Sequence, residues 1–171
     1  MLSFRLAAAE DALTLGALAT QVWLDTYAVA GIRPAMAEEV RRCFTTGAMQ
    51  TTLNQPDTRI VVAEFNDHLV GFAQVRYQTP QALVVSAKTP AELECLYIQR
   101  PFLGQRVGAL LLHEIEELAA QGGADEMWCS VWVHNVRALR FYEKRGYAKL
   151  GSTWYELDRE RHENHVFSKR L

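Results

Sequence analysis

Glu92 and Glu94 stand two residues apart in the apolar run ELECLYI, Glu92–Ile98. On a strand that spacing puts both carboxylates on the same side. Such a pair can accept a proton, directly or through a water. A solvated strand edge, or ion pairs that merely attract a cation, is the competing account. Tyr142 carries the only acidic proton on a helix face shared with Ala138 and Phe141, and an aromatic core face explains the same residues without chemistry. The turn Phe102–Gly108 contains Gly104 and Gly108 and leads into a helical stretch. The first N–H groups of a helix lack internal partners, and the helix dipole adds partial positive charge there, so such a place can hold a phosphate. Glycine lets a ligand approach the backbone closely. A plain connecting turn is the alternative. Trp23 and Tyr27, four apart, could form an aromatic wall for a cation or simply pack in a core.

The elements that must position these residues follow from periodicity and turn chemistry. Leu2–Leu6 reads as a first strand. A helix opens at Glu10 and Asp11 and runs to about Tyr27, with Leu15, Leu18, Val22 and Leu24 on its apolar side. Gly31 and Pro34 break that pattern, and a second helical region follows, interrupted at Gly47. Arg59–Phe65 and His68–Tyr77 form a hairpin around Asn66-Asp67. Gln78 to Pro90 reads as a loop with a short extended piece at Ala82 to Val85. Strand Glu92–Ile98 is closed by Pro101. The helix Gly104–Gln121 repeats apolar residues at Val107, Leu110, Leu111, Ile115, Leu118 and Ala119, and Gly122-Gly123 stops it. Met127–Val133 is apolar on both faces, as a covered central strand is. Asn135 caps a helix reaching Arg145. Tyr147–Leu157 and Asn164–Lys169 close the chain around a turn at Asp158–Arg161. The resulting order, strand, two helices, three strands, helix, strand, helix, two strands, is one α/β domain, residues 1–171, with a mixed sheet.

Composition excludes several classes of function. The 171 residues are 49% hydrophobic and 22% charged, enough for a core without disulfides. A formal net charge of −2 argues against a broad nucleic-acid footprint. No run reaches the ~18 apolar residues of a membrane span. The start MLSFRLAAAEDALTL has neither the charged opening nor the long apolar stretch of a signal peptide. Cys43, Cys95 and Cys129 are an odd set without metal-like spacing, which suits reduced thiols and a cytoplasmic location. Cys95 and Cys129 lie in apolar runs as core residues. His162 and His165 point to opposite faces of a strand, so no metal is expected. No G-x-G-x-x-G occurs, and the order of elements is not that of a dinucleotide fold.

The stretch LECLYIQRPFLGQRVGALLLHEIEELAA followed by VWVHNVRALRFYEKRGYAKLG resembles the acetyl-CoA core of the GNAT superfamily. The likeness covers Glu92 to Gly151, about half the chain. The segments VWLDTY, LECLYI, WCSVWVHN and YELDRERHENHVFSKRL further resemble the PaiA-type polyamine acetyltransferase branch. The resemblance implies a GNAT fold of mixed α/β (α+β) class. That fold has a mostly antiparallel sheet of about seven strands, about four flanking helices, and strands 4 and 5 splayed. It implies acetyl-CoA as co-substrate and no metal. Leu96, Tyr97 and Ile98 would pair their backbone with the pantetheine arm, a mode physically like strand addition. The loop Leu103, Gly104, Gln105, Arg106, Val107, Gly108 and Ala109 would hold the pyrophosphate. Asn135 would help hold the cofactor arm, and Tyr142 would give a proton to the departing sulfur. The family signature Q/R-x-x-G-x-G/A is met only at Gly108. Leu103 replaces its first residue and Arg106 its inner glycine. Leu103 removes a polar contact. Arg106 adds a side chain where backbone should lie near phosphate, and its guanidinium offers charge-assisted hydrogen bonds in return.

The implied reaction is direct attack of an amine on the thioester. An aliphatic amine, reference pKa ~10.4, arrives protonated at neutral pH and needs a base. Glu92 or Glu94, or a water relay from either, is the candidate, and Glu92 lies six residues before Ile98, where several GNAT enzymes carry theirs. A strand-four N–H near Leu96 would stabilise the developing oxyanion. Asp25 and Glu64 are possible anionic contacts for the acceptor. The acceptor is expected to be a small amine such as spermidine. A protein or peptide amine and a non-catalytic acyl-CoA-binding regulator are the alternatives. No nucleic acid or membrane partner is expected, and the chain is expected to be a monomer or a homodimer.

Overall fold

Two tight turns, built from residues in left-handed backbone conformations, organise much of the sheet. The computed structural model describes all 171 residues. The first strand, β1 (Leu2–Leu6), pairs antiparallel with β2 (Thr58–Phe65), Leu2 opposite Phe65 and Leu6 opposite Val61. β2 turns into β3 (His68–Tyr77) through Asn66 (φ 49°) and Asp67 (φ 64°). Positive φ at both central residues matches the right-handed twist of the flanking strands, and Asn and Asp tolerate it well.

Between β1 and β2 lie three helices, α1 (Ala12–Tyr27), α2 (Pro34–Cys43) and α3 (Thr46–Leu53). The helical break expected at Gly47 falls instead at Phe44 and Thr45. Thr45 is extended, and its side chain accepts from the Ala48 N–H at 3.2 Å, so it caps a new helix that contains Gly47. The structure therefore has five helices, the remaining two being α4 (Val107–Gln121) and α5 (Val136–Lys144). Helix α4 starts later than the expected Gly104, because Gly104 (φ 75°) and Arg106 (φ 65°) cannot belong to a right-handed helix.

The other strands are β4 (Pro90–Ile98), β5 (Glu126–Trp132), β6 (Ala148–Leu157) and β7 (Glu160–Arg170). The extended piece expected at Ala82 to Val85 is a turn. Val84 donates its N–H to the Gln81 carbonyl at 2.9 Å and buries its side chain against Trp128 and Val166. Strand β7 begins four residues earlier than its apolar pattern indicates. Asp158 (φ 48°) and Arg159 (φ 66°) make a two-residue turn, so the ladder with β6 opens at once with Leu157 opposite Glu160. Glu160–Glu163 is polar throughout, which hides the strand from a hydrophobic reading.

The strand order is β1-β2-β3-β4-β5-β7-β6, a mostly antiparallel sheet in which β4 and β5 run parallel. Parallel neighbours need a long crossover, and α4 supplies it. The chain divides into two compact units, Met1–Gln74 with Cys95–Ile115, and Val75–Glu94 with Glu116–Leu171. The first is built around Leu15, Leu18, Ala19, Met49, Ile60, Val62 and Phe72, with Cys95 and Tyr97 packed on them. In the second, Met127, Cys129, Val131, Val166 and Phe167 are buried.

Candidate active site

In the second unit, the parallel ladder pairs Pro90 with Glu126, Ala91 with Met127 and Glu92 with Trp128. It ends at Glu92, although both strands continue. Along β4, Ala91 and Leu93 are buried while Glu92 and Glu94 are half-buried, so the carboxylates share a side as their spacing requires. Arg76 of β3 pairs with Glu94, Nη1 to Oε1 3.2 Å. Glu92 behaves differently. Burial pushes its carboxyl up to about 7, the Glu94 charge adds to that, and Arg76 opposes it. A carboxyl so placed takes and gives up protons near neutrality, as a general base must.

Asn135 caps α5 as expected, its side chain accepting from the Ala138 N–H at 3.2 Å. The helix buries Tyr142, whose ring lies 5.3 Å from Phe141 and from Tyr147 between centroids, and 6.3 Å from Phe167. The Tyr142 hydroxyl hydrogen-bonds the Cys129 sulfur. Burial raises the Cys129 thiol far above its ordinary value, the Tyr142 bond opposes that, and the Glu92 charge adds to it. Cys129 is thus the core residue its apolar run implied and also a neighbour of both Glu92 and Tyr142. No signal in a single sequence links Cys129, Tyr142 and Arg76 to Glu92, since the link runs across three strands and a helix.

Tyr147 fixes the base of this cluster. It donates to Glu116 Oε1 at 2.9 Å and meets the Met127 sulfur at 3.4 Å, while Lys169 donates to Glu116 Oε2 at 2.8 Å. Burial, reinforced by the Glu116 charge, raises the Tyr147 hydroxyl well out of the physiological range, so it serves as a fixed donor.

In the first unit, β4 ends at Leu96, Tyr97 and Ile98. Gly71 of β3 makes this end possible. A Cβ there would lie 2.7 Å from the Tyr97 carbonyl oxygen and 2.6 Å from Ile98 Cδ1. After a single helical turn at Arg100–Phe102, Leu103 is extended, and Gln105 donates its side-chain amide to the Pro101 carbonyl at 2.7 Å. The Ala109 and Leu110 N–H groups both reach the Arg106 carbonyl at 3.0 Å, so the ladder of α4 closes on Arg106. The N–H groups of Val107 and Gly108 precede that ladder and are of the kind that can face an anion. Arg106 holds the left-handed conformation that the inner glycine of the family signature would adopt freely, and its side chain is exposed.

Trp23 is buried at 8% exposure and Tyr27 is half-buried, with ring centroids 4.9 Å apart. Burial, with Cys95 nearby, raises the Tyr27 hydroxyl. Glu64 is engaged by Arg5 at 2.6 Å, and Arg5 also grips Asp11 at 2.7 Å, so this carboxylate belongs to a structural ion-pair network. Asp25 is exposed on α1. No group of three or more His, Cys, Asp or Glu side chains is arranged to hold a metal ion. No helix is long and apolar enough to cross a membrane.

Known proteins share this architecture. PaiA N-acetyltransferase from Thermoplasma acidophilum, solved in complex with coenzyme A, superposes with a TM-score of 0.77 at 21% identity, over 100% of this chain and 99% of that one. NAA60 of Arabidopsis thaliana, solved with a bisubstrate analogue, gives a TM-score of 0.75 at 15% identity over 99% and 98% of the two chains. In sequence, an uncharacterized N-acetyltransferase of Mycobacterium tuberculosis is 28% identical over 143 residues, covering 81% of this chain and 86% of the relative. The model of the acetyltransferase (GNAT) family matches residues 22–147. With most of its length matched by that model, and the family's sheet order beneath it, the chain belongs to the GNAT family of acetyltransferases.

Proposed function

We propose that residues 1–171 act as one GNAT domain that transfers the acetyl group of acetyl-CoA directly to a primary amine, with polyamines as the acceptor class. The observation that carries this reading is Glu92, a half-buried carboxyl at the end of the β4–β5 ladder, raised to about 7 by burial and by Glu94. Coenzyme A in the related Thermoplasma acidophilum structure supports acetyl-CoA as the donor, and the PaiA likeness supports the polyamine class.

The residues divide the work. The chemistry of the loop suits a diphosphate, with N–H groups of Val107 and Gly108 ahead of the α4 ladder and Gly104 in a conformation only glycine adopts freely. Leu103, Gln105 and Arg106 complete that loop, Ala109 follows in the first turn of α4, and the Arg106 guanidinium supplies a charge that the usual glycine lacks. The main chain of Leu96, Tyr97 and Ile98 receives the pantetheine arm, and Asn135 flanks it. Glu92 takes the proton of the incoming ammonium, directly or through water. A reference amine near ~10.4 still holds its proton more tightly than such a carboxyl, so the transfer accompanies attack rather than preceding it. Tyr142 gives its hydroxyl proton toward the departing thiolate. Trp23 and Tyr27 of α1 stand for the acceptor side.

A second reading, an acyl-CoA-binding regulator, draws on one observation, the bulky Arg106 at the inner glycine position. A thiol-release assay with acetyl-CoA separates the two. The panel is spermidine, spermine, small monoamines and peptides. Release with polyamines alone supports the proposal, release with peptides alone moves the acceptor to protein amines, and binding without release from any acceptor favours the regulator.

A further inference from the structure

Glu92 and Glu94 are indistinguishable by type and face, yet one must act as base and the other must not compete. Taking Glu92 as that base, we propose that Arg76 and Glu94 are positioning residues. Arg76 engages the Glu94 carboxylate, which then stands as a fixed charge beside Glu92 and leaves Glu92 as the proton acceptor. The geometry breaks the equivalence of the two carboxylates. Arg76 reaches Glu94 at 3.2 Å from the neighbouring strand, with the side chains 41% and 21% exposed. Glu92 sits one step earlier on the same side, at the last rung of the ladder, opposite Trp128.

Charged and titratable groups act on Glu92, or feel its charge, from its own strand, from β3 and from β5. Glu94 lies on its own strand, Arg76 on β3, and Cys129 on β5, with Tyr142 of α5 bonded to that thiol. Cys129 is held as the neutral thiol by burial. The charges that act on Glu92 are therefore Glu94, which repels a second anion, and Arg76, which favours one.

The test uses the full chain with 13C-labelled glutamate carboxyls. The Glu92 resonance is assigned by its loss in Glu92→Gln, and circular dichroism checks each variant for folding. Glu94→Gln should lower the Glu92 midpoint by about half to one pH unit, and Arg76→Met should raise it by a similar amount, a three- to tenfold change in proton affinity. Arg76→Lys, which keeps the charge, should restore most of the wild-type midpoint. The acidic limb of kcat/KM for thiol release with spermidine should move in step. Midpoints that stay fixed, or move in the same direction in both charge-removing variants, overturn the proposal. If the midpoints split as expected but Glu92→Gln keeps the acidic limb, the base is elsewhere, and the positioning role fails with the assignment of Glu92 rather than through the coupling.

Discussion

Strand β5 has two neighbours and treats them differently. Toward β7 its antiparallel ladder covers its whole length, from Glu126 opposite Arg170 to Trp132 opposite Asn164. Toward β4 the parallel ladder stops at Glu92 opposite Trp128, while β4 itself runs on to Ile98. The closed edge satisfies its main chain internally and buries Val166 at 0% and Phe167 at 1% exposure. The open edge leaves a carboxylate half-buried where it can exchange protons. One strand thus has one edge paired along its whole length and one edge whose pairing ends early.

The largest effect should come from the open edge. Glu92→Gln preserves shape and removes proton acceptance, so kcat for thiol release at pH 7 should fall by about 10²–10⁴ with the KM for acetyl-CoA within about twofold of wild type. The same variant carries a stability signature. The folded-state value of Glu92, about 7, lies above its ordinary 4.5, so the folded chain holds a proton that the unfolded chain has released. The stabilising contribution is complete below pH 4.5 and disappears as the pH rises through about 7. Melting of wild type should therefore shift downward across that window, and melting of Glu92→Gln should lack that component. Turnover within about threefold of wild type would show that the end of the ladder positions no base. Tyr142→Phe comes next. It keeps the packing on Phe141, Tyr147 and Phe167 and deletes the hydroxyl, so kcat should fall by about ten- to a hundredfold while acetyl-CoA still binds by calorimetry. Unchanged turnover would leave Tyr142 as a packed tyrosine bonded to Cys129.

Much of this contrast was legible beforehand, for reasons that differ by element. The two carboxylates, the cap at Asn135 and the apolar stripe of α4 are local patterns, and local patterns survive in a sequence read alone. The GNAT likeness, carried by Glu92 to Gly151, gave the family and the sheet. What escaped was of two kinds. Backbone exceptions moved boundaries. Arg106 at positive φ delays α4, Thr45 splits a helix, and the turn at Asp158 and Arg159 extends β7 through four polar residues. Neighbours distant in sequence gave no signal at all. Arg76 is eighteen positions from Glu94, and nothing local marks it as the partner that distinguishes Glu94 from Glu92. Glu64 is diverted to Arg5 by the same kind of long-range pairing.

The closed edge makes the opposite forecast, a loss of stability without loss of chemistry. Val166→Ala deletes two buried methyl groups packed on Val84 and Trp128 and should cost about 2 kcal/mol, lowering Tm by about 4–8 °C. The kcat per folded molecule should stay within about twofold of wild type. A large drop in kcat at full folding would mean that the two edges of β5 are not independent.

The smallest effect lies at the far end of the closed side. Arg159 occupies the second position of the β6–β7 turn with φ 66°, where a Cβ is strained and glycine is not. Arg159→Gly relieves that strain, and the extra freedom glycine gives the unfolded chain offsets part of the gain. A net stabilisation of about 0.5 kcal/mol should remain, read as a rise in Tm of about 1–2 °C with unchanged kcat and KM. The sign is the informative part. Aspartate followed by glycine is a pair that such turns favour. A fall in Tm would therefore mean that the Arg159 side chain contributes more to the hairpin than its conformation costs. The register that sets β7 against β6, Glu160 opposite Leu157 onward, would then depend on side-chain contacts at the tip rather than on the turn itself.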